Sequence, residues 1–346
     1  MAKRIVAIYD RGIDKNLMQG FDVLEKYGYE LTLVEKTVNE DELAYQNSML
    51  SVEVNGPDGT PINEEVFQYL GDVEIIITHF APVSRRMIEA AKNLKIIATL
   101  RTGMENINME AAKERGIKVI NAPGRAAVAV ADFTVAAMLC EIRNIARTDE
   151  DIKTGGWTKK YPNRTYSDNM CNLKVGLVGF GDIGRKIATR LKGFGTTILA
   201  YDPYCTKESI EAFGCVPVSL DELLEQADFV SLHVRLSPQT QNMFGAAEFA
   251  KMKPTAIFVN AARAGLVDEA AMIDALEQKK IGGAVLDVFR EEPLPVDHPL
   301  RKLKNVTLSA HLAGTDIGTF SGSIKIVADN LEQYFSGGEL KNVVNH

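Results

Sequence analysis

Residues 174–184 read Lys-Val-Gly-Leu-Val-Gly-Phe-Gly-Asp-Ile-Gly and join an apolar strand to the glycine pattern Gly179-x-Gly181-x-x-Gly184. Glycines at these positions permit a tight turn, close approach of a pyrophosphate and close packing of a helix on the strand. Such a pattern is weak alone, but here it follows an apolar strand and leads into the predicted helix 183–194. The segment therefore predicts a dinucleotide-binding βαβ unit.

The acidic residue expected at the end of the next strand is also present. The strand predicted over 197–201 is followed by Asp202, where a carboxylate would hold the ribose hydroxyls of NAD. A carboxylate there repels the additional phosphate of NADP, and no arginine follows within 202–207, so NAD is the favoured cofactor. At the start of the helix, the backbone amides of Asp182 and Ile183 would face the pyrophosphate.

The rest of the 346-residue chain, long enough for about two domains, alternates short apolar runs with stretches of helical period. Strands are predicted at 4–10, 30–34, 74–78, 95–100 and 118–120, and helices at 14–27, 84–91 and 108–115. The alternation restarts at 173 with six further strands, from 174–178 to 306–309. This pattern predicts an α/β protein with parallel sheets that helices cover on both faces.

Three segments interrupt the alternation. Residues 46–63 form an insertion whose part 55–61 is dense in turn formers, and Ser48–Val54 could be one arm of a hairpin. A long apolar helix is predicted over 125–147. The polar stretch 149–172 is long for a structureless loop, so we expect it to pack on another surface, such as a subunit partner.

Composition excludes several classes of protein. The net charge is −7, from 39 basic and 46 acidic residues, and no basic face suited to nucleic acid is visible. No uncharged apolar run reaches 18 residues, and no signal peptide is visible, so neither a membrane protein nor a secreted one is expected. The four cysteines lack metal-ligand spacing and predict free thiols in a reducing cytoplasm, with no metal site.

Polar side chains follow the last three predicted strands. Arg263 comes after the first of these strands, Asp287 and Glu292 after the second, and His311 after the third. Each has an ordinary explanation by itself, as a surface charge, a solvated turn or a structural histidine. Because the carboxyl ends of parallel strands meet at one edge of a sheet, we expect these residues to converge beside the nicotinamide.

These segments give the sequence a specific resemblance. Asn260-Ala-Ala-Arg263, Asp287 to Pro293 and Ser309-Ala-His-Leu-Ala-Gly314 resemble motifs of the D-isomer-specific 2-hydroxyacid dehydrogenases, which include phosphoglycerate dehydrogenases and glyoxylate/hydroxypyruvate reductases. The resemblance spans nearly the whole chain. This sequence departs from the common pattern at Ala264, where glycine is usual, and at Arg235 and Ala310, where proline is usual.

The resemblance implies two Rossmann-like domains with a cleft between them. A flavodoxin-like substrate domain would comprise 1–121 and 315–346, and an NAD-binding Rossmann domain would comprise 122–314. It also implies that Asp287 holds the nicotinamide carboxamide. The full set of implied cofactor contacts is Gly179, Gly181, Asp182, Ile183, Gly184, Asp202, His233, Val234, Thr240, Ala261, Arg263, Asp287, His311, Ala313 and Gly314.

The residue types fit the interconversion of a 2-hydroxy acid and its 2-keto acid. Hydride transfer belongs to the cofactor, and His311 would supply or accept the proton with Glu292 favouring the imidazolium. Arg263 would bind the substrate carboxylate with its planar fork of donors. Two alternatives on the same fold remain open: a formate dehydrogenase, which typically carries Gln where this chain has Glu292, and a non-enzymatic NADH-sensing scaffold.

By the same resemblance, the substrate carboxylate lies on the loop Leu100–Ile107, with Arg101, Thr102, Gly103 and Met104 as contacts. Arg101 would either bind a second anionic group or a distal hydroxyl, or point away and pair with Glu105. His79 either lines the same pocket or is a structural residue at a strand end. The helix 125–147 resembles the family's dimerisation segment, which implies a homodimer.

Overall fold

The computed structural model describes residues 3–37 and 42–345, and its strands form two parallel sheets. The strands are β1 (Lys3–Tyr9), β2 (Tyr29–Glu35), β3 (Val73–Thr78), β4 (Ile96–Thr99), β5 (Lys118–Ile120), β6 (Lys174–Val178), β7 (Thr197–Tyr201), β8 (Val216–Pro217), β9 (Phe229–Leu232), β10 (Ile257–Asn260), β11 (Gly283–Leu286) and β12 (Val306–Leu308). This arrangement confirms the predicted α/β class.

The helices lie between these strands. The α-helices are α1 (Lys15–Met18), α2 (Glu42–Gly59), α3 (Arg85–Ala90), α4 (Met109–Glu114), α5 (Ala127–Ile142), α6 (Ile145–Lys153), α7 (Asp182–Lys192), α8 (Lys207–Glu211), α9 (Leu220–Gln226), α10 (Ala246–Lys251), α11 (Glu269–Glu277) and α12 (Ile317–Phe335). Short 3-10 helices occupy Gln19–Tyr27, Glu64–Asp72, Met170–Asn172, Ala264–Leu266 and Pro299–Lys302. Within the described ranges, no helix is both long and apolar enough to cross a membrane.

The chain divides into two compact units, and the first comprises Met1–Arg125 and Asp316–His346. Its sheet has the order β2-β1-β3-β4-β5 with all pairs parallel. Successive residues of β1 enter opposite cores, since Ile5 packs in one apolar cluster with Val327 of α12 and Val6 packs in the other. Burial on both faces explains why these strands are continuous apolar runs.

The second unit, Ala126–Thr315, contains the sheet β12-β11-β10-β9-β6-β7-β8. One face packs against α5 and α7 through residues such as Met138 and Ile187. The other face packs against α9, α10 and α11 through residues such as Leu223, Phe249 and Leu276. One more strand is present than the six predicted. The additional strand, β8, gave no sequence signal because it has only two residues, one of which is a proline at the sheet edge.

The predicted hairpin arm at Ser48–Val54 is wrong, because this segment lies in α2. It continues a run rich in good helix formers that begins at Glu42, and helix propagation is cooperative once a first turn exists. The turn formers still have an effect: Gly56 adopts φ 67° and ψ −174°, a backbone region open essentially only to glycine, and interrupts the helix before Pro57.

Two other predicted helices are divided. The helix predicted over 125–147 becomes α5 and α6, separated at Asn144, which has a φ of 57° and donates a 2.6 Å hydrogen bond to the side chain of Asn163. The helix predicted over 14–27 is α-helical only in α1 and continues as a 3-10 helix. Gly20 lies in this part, and a Cβ there would approach Ile324 to 2.8 Å, so close packing favours glycine, a residue that weakens an α-helix.

Candidate active site

The strand order of the second unit determines where a ligand can bind. β6 lies in the interior of the sheet, and the chain runs from it to β7 on one side and later to β9 on the other, which makes its carboxyl end a topological switch point. Crevices at such points are the usual ligand sites of open α/β sheets. The glycine-rich turn follows β6, and the later motifs follow β10, β11 and β12 at the same edge.

The glycine-rich turn can accommodate a pyrophosphate. Gly179 has a φ of 97°, and a Cβ there would lie 2.7 Å from the carbonyl of His233. A Cβ at Gly184 would lie 2.5 Å from the carbonyl oxygen of Gly179, so this glycine permits close contact between helix and turn. Gly181 precedes α7 and has open space around it. The first helical amides, those of Asp182 and Ile183, therefore lie next to a residue without a side chain, so that an anion can approach the start of α7.

The Asp202 carboxylate is held beside this turn. One oxygen accepts a 2.8 Å hydrogen bond from the Phe180 amide, and the other accepts one of 2.8 Å from the Tyr204 amide. The two bonds fix the carboxylate between the glycine-rich turn and the end of β7, which is the position that NAD ribose recognition requires. The glycine-rich turn, here also called the glycine cradle, and the Asp202 carboxylate together fit an NAD molecule.

The loop after β9 packs directly behind the glycine-rich turn. His233 shares a 2.8 Å hydrogen bond with Ser231, and burial of its imidazole lowers its pKa to about 3, so the ring is neutral. Thr240 closes the loop with a 2.7 Å hydrogen bond to the carbonyl of Arg235. Val234 lies against Gly179, where a Cβ would be 3.0 Å from its side chain. These predicted cofactor residues thus lie together.

His311 and Glu292 form a direct pair. His311 Nδ1 lies 2.8 Å from a Glu292 carboxylate oxygen, and the other oxygen accepts a 2.9 Å hydrogen bond from the Phe289 amide. The bond and charge of Glu292 raise the pKa of His311 above its ordinary value despite partial burial. Burial opposes ionisation of Glu292, but the bonds from His311 and Phe289 outweigh it and hold the pKa of Glu292 below its ordinary value. The second ring nitrogen of His311 remains available for proton transfer.

Asp287 holds the loop that carries His311. Its carboxylate, 1% exposed, accepts hydrogen bonds from the Ser309 hydroxyl (2.6 Å) and from the amides of Leu312 (2.8 Å) and Ala313 (2.9 Å). His311 has a φ of 54°, an unfavourable conformation for a residue with a side chain. Three of the hydrogen bonds that the carboxylate can accept are therefore used to maintain this loop.

Arg263 lies on an exposed turn at the end of β10. The Asn260 side chain holds the turn, because its amide donates to the Arg263 carbonyl (3.0 Å) and its oxygen accepts from the Ala262 amide (3.0 Å). The Arg263 charge contributes to lowering the pKa of Glu292, so the structure brings the arginine and the acid into electrostatic range. Ala261 precedes the arginine on this turn, and Gly314 follows the His311 loop beside Ala126.

The loop 100–107, which is predicted to bind the substrate carboxylate, follows β4 at the carboxyl edge of the first unit's sheet. The Thr102 carbonyl accepts a 2.7 Å hydrogen bond from the Asn121 side chain, and the Met104 carbonyl accepts one of 2.9 Å from the Ile107 amide. Gly103 is closely covered by the Glu105 carboxylate, which would lie 2.3 Å from a Cβ.

Arg101 and His79 are both buried. The Arg101 guanidinium stacks 4.2 Å from the centre of the Phe80 ring and lies 3.6 Å from a Glu105 oxygen. His79 Nδ1 contacts both oxygens of the buried Asp10 carboxylate at 3.1 Å, and burial lowers the pKa of His79. The pKa of Asp10 is also lowered, because His79 and two backbone amides outweigh its burial. Asp10 and His79 therefore form a buried, hydrogen-bonded pair.

Sequence reasoning missed several of these partners. Asp10 directly follows β1 and could have been identified as a strand-end carboxylate next to β3. The hydrogen bond of 3.4 Å between Arg125 and His79, and the contacts of Arg290 described below, join residues far apart in sequence and give no local signal. Within the described part of the chain, no group of histidine, cysteine or acidic residues could hold a metal ion.

Comparison with known proteins places this geometry in a family. Residues 135–313 match the model of the D-isomer specific 2-hydroxyacid dehydrogenase NAD binding domain. The chain is 39% identical to a D-3-phosphoglycerate dehydrogenase of Methanocaldococcus jannaschii over 82% of its length, and it covers 53% of that protein. It is 36% identical to a glyoxylate reductase of Korarchaeum cryptofilum over 83% of its length, and it covers 87% of that protein.

The fold comparison agrees. The NAD-complexed D-isomer specific 2-hydroxyacid dehydrogenase of Lactobacillus delbrueckii ssp. bulgaricus superposes with a TM-score of 0.79 at 24% identity, covering 99% of this chain and 100% of that one. The matched domain model and the observed cradle identify the cofactor as NAD. The chain spans only about half the length of the phosphoglycerate dehydrogenase but most of the glyoxylate reductase. This chain belongs to the D-isomer specific 2-hydroxyacid dehydrogenase family.

Proposed function

We propose that this chain is an NAD-dependent dehydrogenase that interconverts a D-2-hydroxy acid and its 2-keto acid. The observation that carries the proposal is the His311–Glu292 pair, 2.8 Å apart, at the same sheet edge as Arg263 and the glycine cradle. Relatives named phosphoglycerate dehydrogenase, glyoxylate reductase and hydroxypyruvate reductase support it. In this proposal the second unit binds NAD, and the first unit binds the acid.

The chain's own residues handle the proton and the charges. NAD supplies or accepts the hydride at C2 of the acid. During reduction, His311 donates a proton from its second ring nitrogen to the keto oxygen, and during oxidation it accepts the hydroxyl proton. Glu292 stabilises the imidazolium, and Arg263 binds the substrate carboxylate and polarises the keto oxygen.

The raised pKa of His311 sets the pH dependence of this scheme. Reduction requires the imidazolium, so the reductive rate stays high below the pKa of His311 and falls as the pH rises through it. Oxidation requires the neutral ring and has the opposite dependence. A Glu–His pair of this kind also argues against a formate dehydrogenase, because hydride transfer from formate needs no proton donor.

The contacts of Arg101 bear on the substrate class. Its ion pair with Glu105 and its stacking on Phe80 favour the alternative in which the arginine stabilises its own loop. We therefore propose that unphosphorylated 2-keto acids are better substrates than phosphorylated ones. Arg101→Ala should then change catalysis of plain and phosphorylated acids by similar factors.

We also propose a homodimer that forms through the region of α5 and α6. Four large apolar side chains there are exposed: Val128, Ile145, Ile152 and Trp157, the last of which is 81% exposed. Part of the polar stretch 149–172 packs on its own unit, since Tyr166 donates a 2.8 Å hydrogen bond to the Gly282 carbonyl. Light scattering after gel filtration tests this, and a monomeric mass would reject it.

The direct test of the proposed activity is NADH oxidation with a panel of 2-keto acids: glyoxylate, hydroxypyruvate, its phosphorylated form and longer sugar acids. We expect turnover with at least one plain acid and a loss of at least about 100-fold in kcat for His311→Asn, since a positioned general acid contributes this much. His298→Asn is the matched control, because His298 caps a 3-10 helix and Asn can do the same. Tight NADH binding without any turnover would instead favour the scaffold function.

A further inference from the structure

The catalytic pair and the substrate-binding arginine lie on different strand-end loops. Glu292 belongs to the loop after β11 and bonds to His311 after β12, whereas Arg263 belongs to the loop after β10. Catalysis of the proposed reaction needs the proton donor and the carboxylate-binding group at a fixed separation, and an error of about 1 Å can cost about 100-fold in rate. A contact that joins these loops therefore has functional consequences.

The Arg263 loop is already joined to the loop after β9. Three backbone hydrogen bonds connect them: the Asn242 amide to Gly265 (2.8 Å), the Phe244 amide to Leu266 (3.1 Å) and the Asp268 amide to Phe244 (2.8 Å). We call these two hydrogen-bonded segments, 242–244 and 265–268, the 242–268 pairing. The second segment starts two residues after Arg263, and the first contains Asn242 in a left-handed conformation with a φ of 51°.

Arg290 connects the catalytic acid to this pairing. Its Nη2 donates a hydrogen bond to the side-chain oxygen of Asn242 and another, of 2.6 Å, to the Val267 carbonyl. Arg290 also lies inside the turn that the 2.9 Å bond from the Phe289 amide to Glu292 closes. We propose that Arg290 is a positioning residue that holds Glu292, and through it His311, in register with the Arg263 loop. This inference rests on the proposed function of these three residues.

Loss of Arg290 leaves the fold of both loops in place but removes the side-chain link between them. The turn that carries Glu292 then samples positions farther from His311. The charged groups that act on His311 are Glu292 and Asp287, which raise its pKa, and Arg263, which lowers it. A looser contact with Glu292 therefore lowers the pKa of His311, an effect that a merely structural surface arginine would not have.

The test combines an NMR titration with kinetics on the full chain. The variants are Arg290→Ala and Asn242→Gly, since glycine keeps the positive φ but removes the acceptor. Arg301→Ala is the matched control, because Arg301 also donates to two carbonyls, Leu294 (2.6 Å) and Pro295 (2.8 Å), in the segment after Glu292. The His311 signal, assigned by its loss in His311→Asn, gives the pKa without any need for turnover.

We expect Arg290→Ala to lower the pKa of His311 and to reduce kcat about 10-fold with the NADH Kd unchanged. Asn242→Gly should shift both in the same direction by less, Arg290→Lys should recover part of the loss, and Arg301→Ala should match the wild type. Unchanged titration of His311 in both Arg290→Ala and Asn242→Gly would overturn the inference. A wild-type chain that turns over no 2-keto acid would overturn the proposed function instead, and the titration would still decide the role of Arg290.

Discussion

The substitution Asp287→Asn tests whether the buried carboxylate maintains the His311 loop. An asparagine can keep its oxygen towards the Ser309 hydroxyl and the Leu312 amide, but its NH2 group then faces the Ala313 amide, so two donors oppose each other in a buried site. A hydrogen bond to a charged group contributes about 1.5–3 kcal/mol, and an unsatisfied buried donor costs about 1–3 kcal/mol. We expect a loss of about 3 kcal/mol in the free energy of unfolding.

Calorimetry can measure this loss as a change in Tm. For a unit of this size, about 1 kcal/mol corresponds to about 2–4 °C, so the transition of the second unit should fall by about 6–12 °C. The pKa of His311 should fall as well, because the Asp287 charge raises it. Ser309→Ala removes one hydroxyl donor to this carboxylate and keeps the charge, so it should cost about 1.5 kcal/mol and leave the pKa of His311 unchanged.

Two outcomes would contradict this role of Asp287. A variant that melts within 2 °C of the wild type, a margin taken as about 1 kcal/mol, would show that the three hydrogen bonds do not hold the loop. A variant of wild-type stability that binds NADH weakly would show that Asp287 acts on the nicotinamide carboxamide, as the family resemblance implies.

Glu292→Gln should lower the pKa of His311, because the carboxylate raises it, and so move the alkaline fall of the reductive rate to lower pH. Gly179→Ala should lose both stability and NADH binding, since its Cβ would lie 2.7 Å from a backbone carbonyl. Gly181→Ala should keep wild-type stability but lose NADH affinity, since only a bound pyrophosphate would meet the new methyl group. Arg147→Ala should lower the free energy of unfolding by about 3–5 kcal/mol, because it leaves the buried Glu141 carboxylate without the guanidinium nitrogen that contacts both of its oxygens at 2.8 Å.

Each of these expectations has a contradicting result. An unchanged pH profile in Glu292→Gln would show that Glu292 does not influence proton transfer by His311. If Gly179→Ala and Gly181→Ala lower stability equally, then Gly181 is required for the fold rather than for contact with the ligand. If Arg147→Ala lowers the free energy of unfolding by less than about 1 kcal/mol, then the buried Glu141 carboxyl is neutral or finds another hydrogen-bond donor.

Local patterns predicted the sheets well because a strand buried on both faces must be apolar throughout. β6, β7 and β5 begin and end at the predicted residues. The predictions failed where a few residues with special conformations decided the outcome. Asn144 divides a long apolar helix because its left-handed backbone is held by Asn163, a partner 19 residues away. The hairpin prediction for 48–54 likewise failed because it considered these residues alone, whereas the helix that begins at Glu42 continues cooperatively through them.

The candidate site shows the same division between local and non-local information. The positions of Arg263, Glu292 and His311 after successive strands follow from sequence, because parallel strands bring their carboxyl ends to one edge. The burial of His79 against Asp10 depends on the adjacency of β1 and β3, which are not consecutive strands. Physical proximity of this kind arises from the strand order and cannot be read from either segment alone.

In the proposed reaction, NAD-dependent hydride transfer at C2 is coupled to proton donation by His311 and gives a D-2-hydroxy acid. The most direct measurement uses NADH carrying deuterium at the transferred position and hydroxypyruvate, followed by chiral and mass analysis of the product. We expect a single product, the D-2-hydroxy acid with deuterium at C2, and a rate of product formation at least about 100-fold lower with His311→Asn. An L-configured or racemic product, a product without deuterium, or full activity of the histidine variant would contradict it.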